Sequence, residues 1–230
     1  MMPLGDVSAP AVVRAPIAPE DEPLLARALA GGGAMAYPTE TSYALGGNAL
    51  CEELAERIFR LKGRPPAKAL PLLIDPSAGM DRYFSAPSLT AERLMRAFWP
   101  GALTLVLPAS PKLPRHLADG RGTVAVRWSS GAVVARLLAL GGVPLIGTSA
   151  NRSGARPGTS PAEVLADFGG ALEVAIDGGP APGGPSSTLL DLSGEFPRLL
   201  REGAISAARL RAVLPGVALE GPPPEPPRNG

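Results

Sequence analysis

The sequence predicts an α/β or mixed α+β domain, and three observations carry that prediction. Apolar runs of strand length alternate with amphipathic stretches at helical spacing, with no long block of either kind. Glycine and proline, 28 of each, punctuate the ends of these runs. Hydroxyl-rich polar loops follow the apolar strands, where open α/β sheets hold their ligands.

The elements follow in order. In "EPLLARALAGGG", Leu24, Leu25, Ala28 and Leu29 fall at helical spacing and Gly31 supplies a stop. "AMAYPT" is a short strand running into a loop. "EELAERIFRLKG" sets Leu54, Ile58 and Leu61 on one helical face and ends near Gly63. "ALPLLI" is a buried strand, and "SLTAERLMRAFWPG" is a helix closed by Pro100 and Gly101. "ALTLVLPA" and "TVAVRW" read as strands, "AVVARLLALGG" as a glycine-capped helix and "VPLIG" as a further strand. "SPAEVLADFGG" has Ser160 at the N-cap, Pro161 at the first helical position and Glu163 at capping-box spacing. "LEVAID", "STLLDL" and "FPRLLR" are strands, and "SAARLRAVL" is a closing helix. Residues 1–16 read as a flexible leader, 17–214 as the folded domain, and 215–230, ending in "GPPPEPPRNG", as a disordered tail.

At 230 residues the chain fits one large domain, and 45% hydrophobic residues suffice for a core. Lys and Arg number 22 against 21 acids, so any basic patch must be assembled locally by folding. A lone cysteine, Cys51, excludes an internal disulfide framework, and with a lone histidine, His116, it excludes a Cys/His zinc site. No apolar run approaches the roughly 18–20 residues of a membrane span, and "MMPLGDVSAP" lacks the layout of a signal peptide. The expectation is a soluble, cytoplasmic protein without membrane partners.

The polar loops carry the candidate chemistry. Lys62 and Arg64 leave a helix end two residues apart, in "LKGRPPAK". Cations there complement the helix dipole in any protein, yet "GRPP" forces an extended exit that would project Arg64 toward a phosphate or carboxylate. Both side chains are expected to be exposed. Arg127 ends "TVAVR", sharing a strand face with Thr123 and Ala125, where its guanidinium can grip a carboxylate or phosphate or simply reach solvent. In "GTSANRSG", Ser149 and Asn151 share a face if the segment stays extended and can bind a polar ligand; the alternative is an Asx or Ser turn. No stretch matches the Walker A loop or "GxGxxG", and His116, in "KLPRHLADG", reads as a surface-loop residue rather than a catalytic base.

Taken in order, "YPTETSYALGGNA", "KGRPPAK", "FWPGALTLVLPA", "TVAVR", "TSANRSG", "SSTLLD" and "LLREG" resemble the YrdC-like family of threonylcarbamoyl-AMP synthases, in its short single-domain form. The resemblance runs from about Ala34 to about Ile205. It implies a single twisted α/β sheet with a concave, locally basic face. It also implies an enzyme that takes L-threonine, ATP and bicarbonate or carbon dioxide. Such an enzyme releases pyrophosphate and makes threonylcarbamoyl-adenylate, which partner proteins transfer to tRNA. By the same resemblance, Lys62, Arg64 and Arg201 meet the triphosphate with a bridging Mg2+, and Thr123, Asn151 and Thr159 surround the nucleotide. Lys62 and Arg64 are the expected catalytic cations, and no protein side chain is expected to ligate the metal. Arg127 would take the threonine carboxylate, with Thr41, Ser149 and Ser187 on its hydroxyl, amine or carbamate.

Three positions depart from the family pattern. Trp128 follows Arg127, where it can reshape the pocket edge; Ser186 replaces a glutamate; and Glu202 replaces a proline. Two rival readings stand beside the synthase. One is a YrdC-like protein that binds RNA or a nucleotide without synthase activity. The other is a carbamoyltransferase domain using the same adenylate chemistry on another acceptor. The remaining stretch after Ile205 is about 25 residues, so the longer form with a second domain is not expected.

Overall fold

The computed structural model describes residues 9–63 and 70–221. In chain order these form β1 (Ala11–Arg14), α1 (Glu22–Ala30), β2 (Met35–Pro38), β3 (Tyr43–Asn48), α2 (Glu52–Lys62), β4 (Leu72–Leu73), α3 (Leu89–Phe98) and β5 (Leu103–Pro108). Then come β6 (Thr123–Arg127), α4 (Ala132–Gly141), β7 (Leu145–Ser149), α5 (Pro161–Phe168), β8 (Val174–Asp177), β9 (Thr188–Asp191), β10 (Arg198–Arg201) and α6 (Ala207–Val213). The strands make one mixed sheet in the order β1-β8-β2-β3-β7-β4-β6-β5-β9-β10. Parallel pairs (β1 with β8, β2 with β8, β4 with β6, β5 with β9) are interleaved with antiparallel ones, so the architecture is mixed α/β.

Strand alternation divides the side chains between two faces, and the division decides where a ligand can sit. On one face Leu72, Leu103, Leu105, Val124, Val126, Ile146 and Leu190 join a continuous core. The apolar faces of α2 (Leu54, Ile58), α3 (Ala91, Leu94), α5 (Val164, Phe168) and α6 (Leu210) close it. Each such fully buried aliphatic side chain contributes about 1.5–3 kcal/mol of transfer free energy. On the other face a smaller cluster holds Leu25 and Leu29 of α1 and Val134 and Leu137 of α4 against Val13, Met35, Tyr37, Leu145, Val174 and Ile176. Those strand residues come from β1, β2, β7 and β8. The partners of that face on β5, β6 and β9, namely Thr104, Ala125 and Leu189, lie outside this cluster and line a cavity instead.

Local signals explain the helix ends. Gly63 caps α2 at φ +60°, a conformation open to glycine at little steric cost. Ser160 caps α5 as expected, its hydroxyl accepting from the Glu163 N–H, and Ser88 and Ser206 do the same for α3 and α6. No helix among the described residues is long and apolar enough to cross a membrane.

The structure corrects the margins. Residues 11–14, read from the sequence as part of a flexible leader, form β1 and pair in parallel with β8 from Ala11–Val174 to Arg14–Asp177. Val13 is buried there while Val12 faces outward, and Ala11, Ala15 and Ile17 pack partly buried on the same cluster; these contacts and the edge of β8 hold the segment, which composition alone does not reveal. Residues 217–220, assigned to the disordered tail, return to the sheet: Leu199 N–H donates to Glu220 O at 2.9 Å and Glu220 N–H to Pro197 O at 3.0 Å. "YALGGN", to which the sequence pattern gives no element, is strand β3, paired with both β2 and β7. Its two glycines erase the apolar alternation, but both sit where neighbours crowd: a Cβ on Gly46 would fall 1.6 Å from Ile146 O of β7, and one on Gly47 2.5 Å from Gly33 O. "ALPLLI" contributes only the two-residue β4, with residues 64–69 outside the described residues.

Candidate functional site

A cavity of about 160 Å³ opens on the sheet face that α1 and α4 leave uncovered. Its floor is Leu73 of β4, Ala125 of β6, Gly147 of β7 and Leu189 of β9. Gly147 is required by close approach, since a Cβ there would lie 2.4 Å from Leu73 Cγ. Around this apolar floor stand hydroxyls and two guanidinium groups: Thr41, Thr104, Ser149 and Ser187, with Arg127 and Arg201. The cavity is small against the ~300–1,000 Å³ of a drug-sized ligand site, and its polar groups suit a compact ligand carrying anionic and hydrogen-bonding atoms.

Arg127 is the most constrained of these groups. It ends β6 on the cavity face and is only 6% exposed. Nε donates to Gly101 O at 3.0 Å, and Nη1 lies 3.5 Å from Thr41 Oγ1. Nη2 sits 2.5 Å from Glu40 Oε1 as an ion pair without hydrogen-bond geometry, leaving Nη2 buried with no hydrogen-bond partner. Glu40 is held in turn by the Ser129 hydroxyl and by Ser130 N–H at 3.3 Å. Burial alone would raise the Glu40 carboxyl; the Arg127 charge and the Ser129 hydroxyl outweigh it and hold the group below the usual carboxylate range.

Thr41 is set by the "PTETS" turn between β2 and β3. Thr39 Oγ1 accepts from the Thr41 and Ser42 N–H groups at 3.2 and 3.3 Å and lies 3.1 Å from Thr41 Oγ1. Such a Ser/Thr turn makes the short loop rigid. Across the cavity, Arg201 donates to Ser187 O from Nε at 3.2 Å and from Nη2 at 2.9 Å, with Ser187 Oγ 3.3 Å away. Ser187 Oγ also lies 2.9 Å from Thr104 Oγ1. Tyr43 forms part of the wall, its hydroxyl donating to Gly179 O at 2.7 Å and accepting from Gly178 N–H at 3.0 Å.

Of the residues expected from the sequence, Thr41, Arg127, Ser149, Ser187 and Arg201 line this one cavity. Lys62 stands one residue behind it. It is 4% exposed, not exposed as expected, because its ammonium turns back to donate to Ser149 O, to Asn151 O at 2.7 Å and to Asn151 Oδ1 at 3.2 Å. Asn151 is buried in the same knot, accepting from Ser149 Oγ at 2.5 Å and donating to Ala155 O at 2.5 Å. The segment does not stay extended: Asn151 N–H folds back onto Ser149 O at 2.9 Å, so the turn and the ligand shelf are the same structure. Thr123 and Thr159 lie off the wall. Thr123 Oγ1 accepts from Arg121 at 3.4 Å at the far end of β6, and Thr159 donates through its N–H and hydroxyl to the Glu163 carboxylate at 2.8 and 3.3 Å. Arg64 lies outside the described residues.

Thr104 and Glu40 were not singled out from the sequence. Thr104 had a signal, as the one hydroxyl inside the apolar "LTLVL". Glu40 stood inside a quoted motif, but its partner is 87 positions away at Arg127 and only folding brings them together. Trp128 packs partly buried against the larger core and stands away from the cavity wall, whereas Ser186 does line it. Among the described residues no group of three or more His, Cys, Asp or Glu side chains could hold a metal ion.

A family model covering Sua5, YciO and YrdC, described as telomere recombination, matches residues 27–203. A threonylcarbamoyl-AMP synthase of Pyrococcus abyssi is 40% identical over 80% of this chain and 54% of its own. One of Thiobacillus denitrificans is 39% identical over 70% of this chain and 86% of its own. The crystal structure of P. abyssi Sua5 complexed with L-threonine superposes with a TM-score of 0.85 at 37% identity, covering 93% of this chain and 63% of that one. The chain spans about half the length of the Pyrococcus relative and of a Bacillus subtilis relative.

Proposed function

The chain belongs to the Sua5/YciO/YrdC family, and from that premise we propose that it is an L-threonylcarbamoyladenylate synthase. Its substrates are L-threonine, bicarbonate or carbon dioxide, and ATP, and its products are threonylcarbamoyl-AMP and pyrophosphate. The observation that carries this reading is the convergence of Arg127, Thr41, Ser149, Ser187 and Arg201 on one small cavity from five separate chain segments.

The reaction sets the requirements. The neutral amine of threonine adds to carbon dioxide to give a carbamate, releasing a proton. A carbamate oxygen then forms a bond to the α-phosphorus of ATP as the bond to pyrophosphate breaks. Two anions must be brought into contact, so the protein's task is positioning and charge neutralisation rather than acid–base chemistry. Arg127 would hold the threonine carboxylate through Nη1, beside the Thr41 hydroxyl. Ser149 and Ser187 would orient the amine and carbamate. Arg201 would face the nucleotide side, and the family resemblance assigns Arg64 to the triphosphate as well. Lys62, expected on the triphosphate, is tied to the Ser149 and Asn151 carbonyls and would act by fixing the shelf they shape.

Magnesium would enter with the triphosphate. The carboxylate nearest Arg127, Glu40, is already paired, and the cavity otherwise offers hydroxyls and cations; the donor set therefore fits an ion ligated by phosphate oxygens and water. The adenylate would pass to proteins of the tRNA-modification apparatus, in the cytoplasm.

The test is to incubate the purified protein with ATP, bicarbonate and single amino acids while following pyrophosphate. Release that requires both L-threonine and bicarbonate is expected. No release with any amino acid, alongside retained ATP or RNA binding, replaces the synthase by a binding protein.

A further inference from the structure

The ion pair between Glu40 and Arg127 has a geometry that a surface salt bridge lacks. The Arg127 guanidinium has three edges, and two meet fixed protein groups: Nε by a hydrogen bond to Gly101 O at 3.0 Å, and Nη2 by charge contact alone with the Glu40 carboxylate at 2.5 Å. Nη1 alone points its contact at a cavity-wall hydroxyl, and the 3.5 Å to Thr41 Oγ1 is at the limit of hydrogen bonding. That edge therefore remains open to a shorter, charged partner.

Glu40 is poorly suited to leave. Besides its ion pair with Arg127, its carboxylate accepts from the Ser129 hydroxyl and from Ser130 N–H, and both donors belong to the segment that follows Arg127 in the chain. Glu40 itself precedes Thr41. One carboxylate thus clasps the loop carrying the hydroxyl to the strand end carrying the guanidinium, and sets their relative position.

We propose that Glu40 is a positioning residue: by holding Nη2 it presents the Nη1 edge of Arg127, beside Thr41, to the carboxylate of the amino-acid substrate. This deepens the synthase reading and rests on it. Glu40 touches no reacting atom. Its loss should let the guanidinium rotate off the cavity wall, so that the amino acid binds weakly while the nucleotide does not.

The experiment compares Glu40→Gln, which keeps shape and removes charge, with wild type and with Glu40→Gln placed in an Arg127→Ala background. Pyrophosphate release gives the KM for L-threonine and for ATP, and calorimetry gives L-threonine binding directly. Glu40→Gln is expected to raise the threonine KM about 10–100-fold with the ATP KM unchanged, the scale on which groups that orient metal ligands act, taken over here for a group that orients a guanidinium. In the Arg127→Ala background the same change is expected to add nothing. Ser129→Ala, which removes the carboxylate's other anchor, should fall between, and it serves also if Glu40→Gln folds poorly. A threonine KM that is unchanged, that rises equally in both backgrounds, or that falls because Glu40 competes with substrate overturns the proposal. If wild type releases no pyrophosphate, the synthase reading fails, and calorimetry with L-threonine judges Glu40 alone. Weaker binding in Glu40→Gln then sustains the positioning role, and equal or absent binding ends it.

Discussion

The Lys62 ammonium lies 2.7 Å from Asn151 O, joining the end of α2 to the turn after β7 across 89 positions of sequence. It also donates to Ser149 O and to Asn151 Oδ1, so a buried cation is matched by three oxygen acceptors.

Lys62→Met retains most of the side-chain volume and leaves those carbonyls without this donor. The cost of an unmet buried acceptor is about 1–3 kcal/mol, so a clear fall in Tm and in the midpoint of urea unfolding is expected, together with loss of pyrophosphate release. A variant as stable as wild type would put the ammonium outside the fold's framework.

Arg127→Ala should raise the L-threonine requirement by about 10–100-fold, the equivalent of roughly 1.5–3 kcal/mol for hydrogen bonds to a charged group, with ATP binding retained. Steady-state kinetics with each substrate varied in turn decides it. If ATP binding falls instead, the two ligands are assigned to the wrong ends of the cavity.

Gly147→Ala places a Cβ 2.4 Å from Leu73 Cγ on the cavity floor. Overpacking of this kind costs about 1–3 kcal/mol, and the methyl group also narrows the cavity. Thermal unfolding should show the loss, and Leu73→Ala in the same chain should recover part of it.

Stability should fall on the acid side of neutrality. Asp191 is 3% exposed, and burial alone would raise its carboxyl. The Ser193 hydroxyl and N–H and the Arg121 guanidinium outweigh that and lower it. Asp119 and Glu40 are lowered likewise, burial being opposed by Thr123 and Arg121 in one case and by Arg127 and Ser129 in the other. Groups depressed in the folded state contribute stability that is fully present above their unfolded values, about 4, and is lost as pH falls through the folded ones. Denaturant unfolding between pH 7 and pH 3 should therefore be flat to about pH 5 and then decline. Asp191→Asn should flatten part of that decline and cost about 1–2 kcal/mol at neutral pH, given that Arg121 is half exposed.

Much of this was readable in the linear chain. The sixfold pattern of helices was legible because α1 through α6 each carry apolar residues at helical spacing with a local stop or cap, as Gly31, Gly63 and Ser160 show. Strands β5, β6 and β7 were legible as short apolar runs. Resemblance to a family put ten residues on one list: Thr41, Arg127, Ser149, Ser187 and Arg201 line the cavity, Lys62, Thr123, Asn151 and Thr159 do not, and Arg64 lies outside the described residues. These signals are local: each depends on residues within a turn or two of one another.

What only tertiary structure decided is whatever depends on partners distant in sequence. Strand β3 lacks an apolar alternation because its glycines make room for β7 on one side and for Gly33 and Leu54 on the other, and β1 looks loose because the edge of β8 supplies its hydrogen bonds. Lys62 reads as an exposed helix-end cation until the β7 turn offers it carbonyls, and Glu40 has no evident role until Arg127 arrives beside it. Hydrogen bonds and ion pairs act over a few ångströms of space irrespective of chain separation. Composition and spacing therefore announce which groups are present, and the folded sheet alone determines which of them meet.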